Sequence, residues 1–345
     1  MKINLKPLSE QVMVITGASS GIGLVTAKEA AKRDVRVVLA ARNERDLGQA
    51  VEAIRADGGR AVYQVCDVAD ASQVEALAAR AVAEFGGIDT WVNNAAVSIY
   101  GKCTEVPLED MRRQFDVNYW GQVHGMLTAV KHLRDRGGAI INVASALADR
   151  AIPLQGNYCA TKHAIKAFTD SLRMELQEEG IPVWLTLVKP SSIDTPLFQK
   201  AKTFLGAEPQ PIPPVYAPEI VAHTILIAAE RPIRDIIPGG MGKVGSMSEK
   251  LSPRLTDKYM ERTTFDSQRT PVAASADRPS NLYQPVDHDG GERGQFQGRV
   301  RSFSASTEAV LHPRATVGIL AGVTAAIRGI RAWRRNRDSR HSISP

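Results

Sequence analysis

Short runs of aliphatic and β-branched residues alternate with longer stretches of helical period along the first 240 residues. A short continuous apolar run is typical of a strand buried on both faces, and the helical stretches between such runs are typical of parallel-sheet crossovers. The pattern predicts seven strands, at 12–16, 35–40, 61–65, 88–93, 139–144, 183–187 and 233–238. The clearest helices are predicted at 22–33, 71–85, 108–133, 158–179 and 218–230. The expected fold class is α/β, a doubly wound (Rossmann) seven-stranded parallel sheet with helices on both faces and a C-terminal extension.

The rhythm of strands and helices stops near residue 245, which divides the chain into expected parts. We predict the α/β domain at 1–245, a helical segment at 246–270, a linker of low order at 271–306, and an apolar helix with a basic tail at 307–345. The linker is expected because that stretch is rich in Pro, Gly, Ser, Asp and Gln. Within the domain, 195–214 combines apolar residues with closely spaced prolines and predicts a mobile flap over a substrate pocket.

Composition places the chain among folded globular proteins, with 43% hydrophobic and 23% charged residues. The three cysteines, Cys66, Cys103 and Cys159, show neither metal-ligand spacing nor a disulfide framework, so no metal site is expected and a reducing compartment fits. The first ten residues lack the pattern of a signal peptide. We therefore expect a cytoplasmic protein.

The net charge of +6 comes from the end of the chain, because ten arginines and three acidic residues follow residue 290. The rest of the chain is nearly neutral, so no nucleic-acid partner is expected. An uncharged stretch at 315–327 precedes most of these arginines; as a helix it reaches about 20 Å, short of the roughly 30 Å of a bilayer core. The tail could rest on an anionic membrane surface, pack on the domain or a partner subunit, or form a disordered basic end.

The first predicted strand ends in a glycine-rich turn, Thr-Gly-Ala-Ser-Ser-Gly-Ile-Gly at 16–23, and a helix follows. Backbone N–H groups at a helix start bind phosphate, and glycine permits the close approach of a pyrophosphate or of the packed helix. The candidate cofactor-binding residues here are Gly17, Ser19, Ser20, Gly21, Ile22 and Gly23.

The glycine spacing and a series of later residues together resemble the short-chain dehydrogenase/reductase family over about 10–240. The matching residues, in chain order, are Asp67 and Val68 after the third strand, Asn93-Asn94-Ala95-Ala96 after the fourth, Asn118, Ser145, Tyr158, Lys162, and the stretch from Pro190 through Ile193 to Thr195. The resemblance implies adenine binding at Asp67 and Val68, cofactor binding at Asn94, Ala95 and Pro190, and carboxamide contacts at Ile193 and Thr195. Ala96 and Ser191 stand where the family has glycine.

Tyr158 and Lys162 are four residues apart, so they share one face of the predicted helix. A tyrosine with a pKa near 10 is a poor base at neutral pH, but a nearby ammonium favours the phenolate. The resemblance implies that Tyr158 is the general acid/base, that Lys162 also binds the nicotinamide ribose, that Ser145 binds the substrate oxygen, and that Asn118 holds a water. It implies hydride transfer between nicotinamide and a carbonyl or secondary alcohol.

The second strand ends in Ala40-Ala41-Arg42, where NAD-using relatives place an acidic residue against the ribose. An arginine offers a planar donor fork to a 2′-phosphate, so NADP(H) is favoured over NAD(H); a solvent-facing arginine at a helix start is the alternative. We expect an apolar small-molecule substrate and a homo-oligomer. The competing hypotheses are a nucleotide-binding sensor without turnover and a membrane-surface scaffold on the same fold.

Overall fold

The computed structural model describes residues 3–240, 242, 248, 251–275, 277–287, 290–313 and 315–318. Its central sheet has seven parallel strands, which confirms the predicted fold class. The strands are β1 (Val12–Thr16), β2 (Arg36–Ala41), β3 (Arg60–Val65), β4 (Thr90–Asn93), β5 (Gly138–Val143), β6 (Val183–Val188) and β7 (Asp235–Ile236). Their order across the sheet is β7-β6-β5-β4-β1-β2-β3. The order reverses between β1 and β4, and such a switch point opens a crevice at the carboxyl ends of the strands.

Helices cover both faces of the sheet. The helices of the first 304 residues include α1 (Gly21–Ala31), α2 (Glu44–Ala56), α3 (Ala71–Phe85), α4 (Leu108–Phe115), α5 (Gly121–Leu133), α6 (Gly156–Glu178), α7 (Pro218–Glu230) and α8 (Pro253–Ser267). A further helix, α9 (Ala305–Leu311), follows them in the chain. Helices α1, α2 and α7 pack on one face, and α3, α5 and α6 pack on the other. Because both faces are covered, all five residues of β1 are buried, which explains its continuous apolar run.

The helix predicted at 108–133 is interrupted. A π-helical turn, Asp116–Trp120, separates α4 from α5. One turn with i→i+5 bonding shifts every following side chain around the helix axis, and such turns are frequent at functional sites. Asn118 lies inside this turn and is fully buried.

The segment predicted as a mobile flap, 195–214, is held by the rest of the domain. Lys202–Thr203 pairs with Ile99–Tyr100, and Ala207–Pro209 pairs with Arg269–Ala273. These partners lie far away in sequence, so local composition does not reveal them. The flap is therefore a backbone-paired wall of the domain.

The segment predicted as a low-order linker, 271–306, is also built into the domain. Leu282 is fully buried and belongs to the hydrophobic core, and Val300–Arg301 pairs with Val215–Tyr216. One compact unit ends at Ser304, and a second begins at Ala305 and contains α9. A polar, proline-rich composition predicted a linker. The segment is nevertheless ordered, because its backbone forms hydrogen bonds with the domain and Leu282 is buried in the core.

The basic tail at 319–345 lies outside the described residues, so its membrane and packing hypotheses stay predictions. Among the described residues, no helix has the length and apolar character needed to cross a membrane.

The close packing of α1 on the end of β1 yields a stability prediction. A Cβ at Gly23 would lie 2.3 Å from the Gly17 carbonyl oxygen, whereas a Cβ at Gly48 in α2 meets nothing within 4 Å. We expect Gly23→Ala to lower the free energy of unfolding by about 1–3 kcal/mol, and Gly48→Ala to raise it by about 0.5–1 kcal/mol. Urea unfolding of both variants measures this. Equal stability of the two would contradict the packing assigned to Gly23.

Candidate active site

The glycine-rich turn is fixed by Asn94, which directly follows β4, the neighbour of β1 in the sheet. Asn94 Nδ2 donates to the carbonyl oxygens of Thr16 at 3.0 Å and Gly17 at 3.1 Å. Gly17 has φ +65°, and a Cβ there would lie 2.7 Å from Ala95 Cα. These contacts require glycine at the turn and hold the start of α1 against the end of β4.

A cavity of about 960 Å³ runs from this turn to Tyr158. It is lined by sixteen of the eighteen residues proposed from the sequence: Gly17, Ser19, Ser20, Gly21, Ile22, Arg42, Asp67, Val68, Asn94, Ala95, Ser145, Tyr158, Lys162, Pro190, Ile193 and Thr195. Gly23 and Asn118 lie outside the lining. Gly23 instead packs on Gly17, which leaves no room for a side chain.

Three polar side chains meet at one end of this cavity. Ser145 follows β5, and its Oγ accepts the N–H of Leu147 at 3.1 Å. Lys162 is 1% exposed, and its Nζ donates to the carbonyl oxygen of Val143 at 3.1 Å. The same Nζ lies 5.4 Å from the ring centroid of Tyr158, which is itself buried. The predicted pairing of tyrosine and lysine on one helical face is therefore present on α6.

Burial favours the neutral forms of both α6 side chains, Tyr158 and Lys162. Burial raises the pKa of Tyr158 above its ordinary value, and the hydrogen bond with Ser145 opposes this only in part. Burial lowers the pKa of Lys162 to about 7. Lys162 was expected to lower the pKa of Tyr158, but burial has the larger effect and raises it. Removal of water disfavours the charged forms of both groups, the phenolate and the ammonium.

The Asn118 side chain is held by three hydrogen bonds within the domain. Its Oδ1 accepts the N–H of Val97 at 2.8 Å, and its Nδ2 donates to the Val97 carbonyl at 3.0 Å and to Thr161 Oγ1 at 3.3 Å. Thr161 directly precedes Lys162 on α6. The Asn118 side chain thus joins the segment after β4 to the helix that carries the active residues, which is a positioning contact.

Ser191, one of the two departures from the family pattern, holds a turn. Its Oγ donates to the Gly239 carbonyl at 2.7 Å and accepts the Gly242 N–H at 3.2 Å. The extra hydroxyl therefore fixes the loop after β7 at the edge of the cavity.

Two groups of cavity residues were missed by sequence reasoning. Helix α8 and its start contribute an apolar wall of Leu251, Leu255, Tyr259 and Met260. Leu251, Leu255 and Tyr259 recur every four residues, a signal of one helical face that could have been used. The second group, Asn281 and Pro285, carries no recognisable sequence signal.

Arg42 reaches the cavity wall but also contacts the C-terminal segment. Its guanidinium donates to the carbonyl oxygen of Tyr283 at 2.9 Å and to that of Asn281. A related contact occurs at the turn, where the Gly21 N–H donates to the Gly291 carbonyl at 2.8 Å. The segment predicted as a linker therefore takes part in the site.

Known proteins resemble this chain in sequence and in fold. The short chain dehydrogenase family model matches residues 11–205. The chain belongs to this family. It is 43% identical over 332 residues to the uncharacterized oxidoreductase YxnA of Bacillus subtilis, covering 94% of this chain and 92% of that protein. It is 35% identical over 200 residues to a 2,5-dichloro-2,5-cyclohexadiene-1,4-diol dehydrogenase of Sphingobium indicum, covering 57% and 78%.

A solved structure is similar to most of this chain. The short-chain dehydrogenase/reductase from Burkholderia phymatum, crystallised in complex with NAD, superposes with a TM-score of 0.66 at 25% identity, covering 79% of this chain and all of that chain. The protein is thus an oxidoreductase that acts on CH–OH donors, with a nicotinamide cofactor and small-molecule substrates.

The donor groups around the cavity fit a nicotinamide dinucleotide. An ammonium has three N–H donors, and within the described part of the chain Lys162 uses one of them, toward Val143. The remaining donors suit ribose hydroxyl oxygens. At the other end, the cavity reaches Ser20, Gly21 and Ile22 at the start of α1, where the end of a helix favours an anion such as phosphate. The Gly21 N–H itself donates to the Gly291 carbonyl oxygen.

The buried lysine makes stability depend on pH. Between a folded pKa of about 7 and the ordinary value of 10.5, the unfolded chain binds more protons at Lys162, so the free energy of unfolding rises with pH. The slope is at most about 1.4 kcal/mol per pH unit. Lys162→Met should abolish this rise. Urea unfolding at about pH 7 and about pH 9.5 tests it, with the exposed Lys258→Met as the charge control. A constant difference between wild type and Lys162→Met at both pH values would refute the prediction.

Proposed function

We propose that this protein is an NADP(H)-dependent oxidoreductase that transfers hydride between nicotinamide and an apolar carbonyl or secondary alcohol, with Tyr158 as general acid/base. The observation that carries the proposal is the meeting of Tyr158, Ser145 and a buried Lys162 in the cavity that also reaches the glycine-rich turn. A reduced cofactor supplies the hydride when bound.

Ser145 and Tyr158 both interact with the substrate oxygen in this mechanism, Ser145 as a hydrogen-bond donor and Tyr158 as the proton donor and acceptor. Because Ser145 Oγ accepts the Leu147 N–H, its own proton is directed away from that contact and can be donated to the substrate. Tyr158 gives its proton to the same oxygen during reduction and takes it back during oxidation. The raised pKa of Tyr158 keeps the phenol protonated, which suits reduction at neutral pH.

Lys162 supplies charge at the ribose and beside the phenol. A pKa of about 7 lets this lysine change its protonation state close to neutral pH. A charged Lys162 stabilises phenolate formation at Tyr158, whereas a neutral Lys162 can accept a proton. Asn118 fixes α6 immediately before Lys162 and so maintains this geometry.

The apolar side of the cavity supports an apolar substrate. Beside the polar groups, the cavity is lined by aliphatic and aromatic side chains from the segment before α6, the flap and α8: Ile152, Leu197, Phe198, Ile212, Leu255, Tyr259 and Met260. Burial of a substrate against such walls is favourable by about 25 cal/mol per Å² of apolar surface. The substrate class we propose is therefore a hydrophobic alcohol or ketone.

The choice of NADP(H) rests on the end of β2. Arg42 lines the cavity at that position, and a guanidinium recognises a 2′-phosphate with charge-assisted hydrogen bonds. The alternative, a nucleotide-binding sensor without turnover, is disfavoured by the Tyr158 and Ser145 hydroxyls beside Lys162. A protein that only binds nucleotide needs no proton donor at the substrate position.

Removal of the Tyr158 hydroxyl tests the catalytic assignment. We expect Tyr158→Phe to lower kcat at least about a hundredfold, because general acid catalysis is lost, with cofactor affinity nearly unchanged. Tyr100 is a second buried tyrosine in the cavity wall, so Tyr100→Phe is the matched control and should keep kcat within about threefold. NADPH oxidation with a panel of hydrophobic ketones measures both. Retained turnover in Tyr158→Phe would contradict the assignment of Tyr158 as the general acid/base.

Cofactor titration tests the role of Arg42. We expect Arg42→Ala to weaken NADPH binding about ten- to a hundredfold and to leave NADH binding within about twofold, because only NADPH carries the 2′-phosphate. Arg45→Ala, three residues away in α2, removes the same charge and should change neither affinity appreciably. Equal weakening of both cofactors in Arg42→Ala would show that Arg42 acts on the fold instead.

A further inference from the structure

Three consecutive residues of the C-terminal segment lie against the end of the cavity formed by Arg42 and Asp67, which we call the adenosine end. Asn281 lines the cavity, and Leu282 is fully buried in the hydrophobic core. Tyr283 completes the triplet. All three lie far beyond residue 205, where the family match ends.

The backbone carbonyl oxygens of this triplet hold two arginines. Those of Asn281 and Tyr283 both accept from the Arg42 guanidinium. The Leu282 carbonyl accepts from Arg113 Nε at 3.1 Å. Two positively charged side chains are thus fixed by three successive peptide groups.

Arg113 extends this arrangement to Asp67. Its second terminal nitrogen forms an ion pair with Asp67 Oδ2 at 2.5 Å, and both side chains are largely buried. Asp67 lines the cavity, whereas Arg113 does not. The triplet therefore sets the position of Arg42 directly and of Asp67 through Arg113.

The triplet itself is firmly anchored. The Asn281 N–H donates to the Lys200 carbonyl at 3.0 Å, and Tyr283 Oη donates to the buried Asp110 at 2.9 Å. The Leu282 side chain between them is part of the core. A guanidinium fixed in this way loses less conformational entropy when it binds phosphate, so its anchors contribute to affinity.

A second observation points to a ligand beside the triplet. The buried Oδ1 atom of Asn281 has no hydrogen-bond partner among the described residues. Leaving a buried acceptor unpaired is unfavourable, because the group has lost its hydrogen bond to water. A ligand N–H or O–H group in the cavity would remove this cost.

We propose that Asn281-Leu282-Tyr283 is a positioning element for cofactor selection, which presets Arg42 for the 2′-phosphate. The inference rests on the proposed function, in which Arg42 meets that phosphate. It makes discrimination between phosphorylated and unphosphorylated nucleotides depend on a segment outside the strands and helices of the sheet domain.

Truncation of the buried anchor tests this proposal in the full-length protein. Leu282→Ala should raise the NADPH dissociation constant about five- to tenfold and leave that of NADH within about twofold, with kcat at saturating NADPH retained. Nucleotide fluorescence titration gives both dissociation constants without turnover. Leu282→Met preserves the apolar volume and should restore NADPH binding.

Leu133→Ala is the matched control. Leu133 is equally buried in the same core but ends α5, which leads into the amino end of β5, whereas the cavity opens at the carboxyl ends of the strands. It should destabilise the fold without changing the ratio of NADPH to NADH affinity. Tyr283→Phe removes only the hydrogen bond to Asp110, and it should shift the ratio in the same direction as Leu282→Ala by a smaller factor.

The Arg42→Ala background separates this inference from the proposed function. If the triplet acts mainly through Arg42, Leu282→Ala should add little further loss of NADPH affinity there. An unchanged affinity ratio in Leu282→Ala and Tyr283→Phe, or tighter NADPH binding, would overturn the positioning role while the effect of Arg42→Ala stands. No effect of Arg42→Ala would overturn the NADP(H) assignment itself.

Discussion

The Asn94 amide donates to the carbonyl oxygens of Thr16 and Gly17, and the site is arranged around that contact. It joins the ends of β1 and β4, the two strands between which the sheet order reverses. With the turn fixed there, α1 starts with its N–H groups toward the crevice, and Gly23 packs closely on Gly17. The phosphate binding proposed for this turn and the packing of α1 on the sheet therefore depend on one set of backbone contacts.

Burial controls the chemistry at the other end of the cavity. Tyr158 and Lys162 are enclosed by the same walls, and removal of water pushes the pKa of the first up and of the second down. Neither group has a carboxylate that could fix its charge within the described residues. Their protonation states can therefore respond to cofactor and substrate, which is the behaviour that reversible proton transfer requires.

The C-terminal segment gives this member of the family a wall that the matched region, 11–205, does not contain. Helix α8 covers the substrate side of the cavity, and the residues around Leu282 cover its adenosine end. The match to the Bacillus subtilis protein runs over 332 residues and so extends through most of this region, whereas that to the Sphingobium indicum enzyme spans 200. These C-terminal residues therefore line both the substrate side and the adenosine end of the cavity, and none of them belongs to the central sheet.

The sequence alone determined the sheet, the glycine-rich turn, and the pairing of Tyr158 with Lys162, because these depend on hydrophobic period and on spacing within one element. It did not reveal that Asn118 lies in a π turn, since one extra residue per turn leaves the apolar pattern nearly unchanged. The composition of 271–306 also predicted a linker, whereas the structure has this segment paired with and buried in the domain. Only the tertiary structure decided that Arg42 is held by Asn281 and Tyr283, because backbone carbonyl oxygens are the same in every residue and their partners are chosen by the fold.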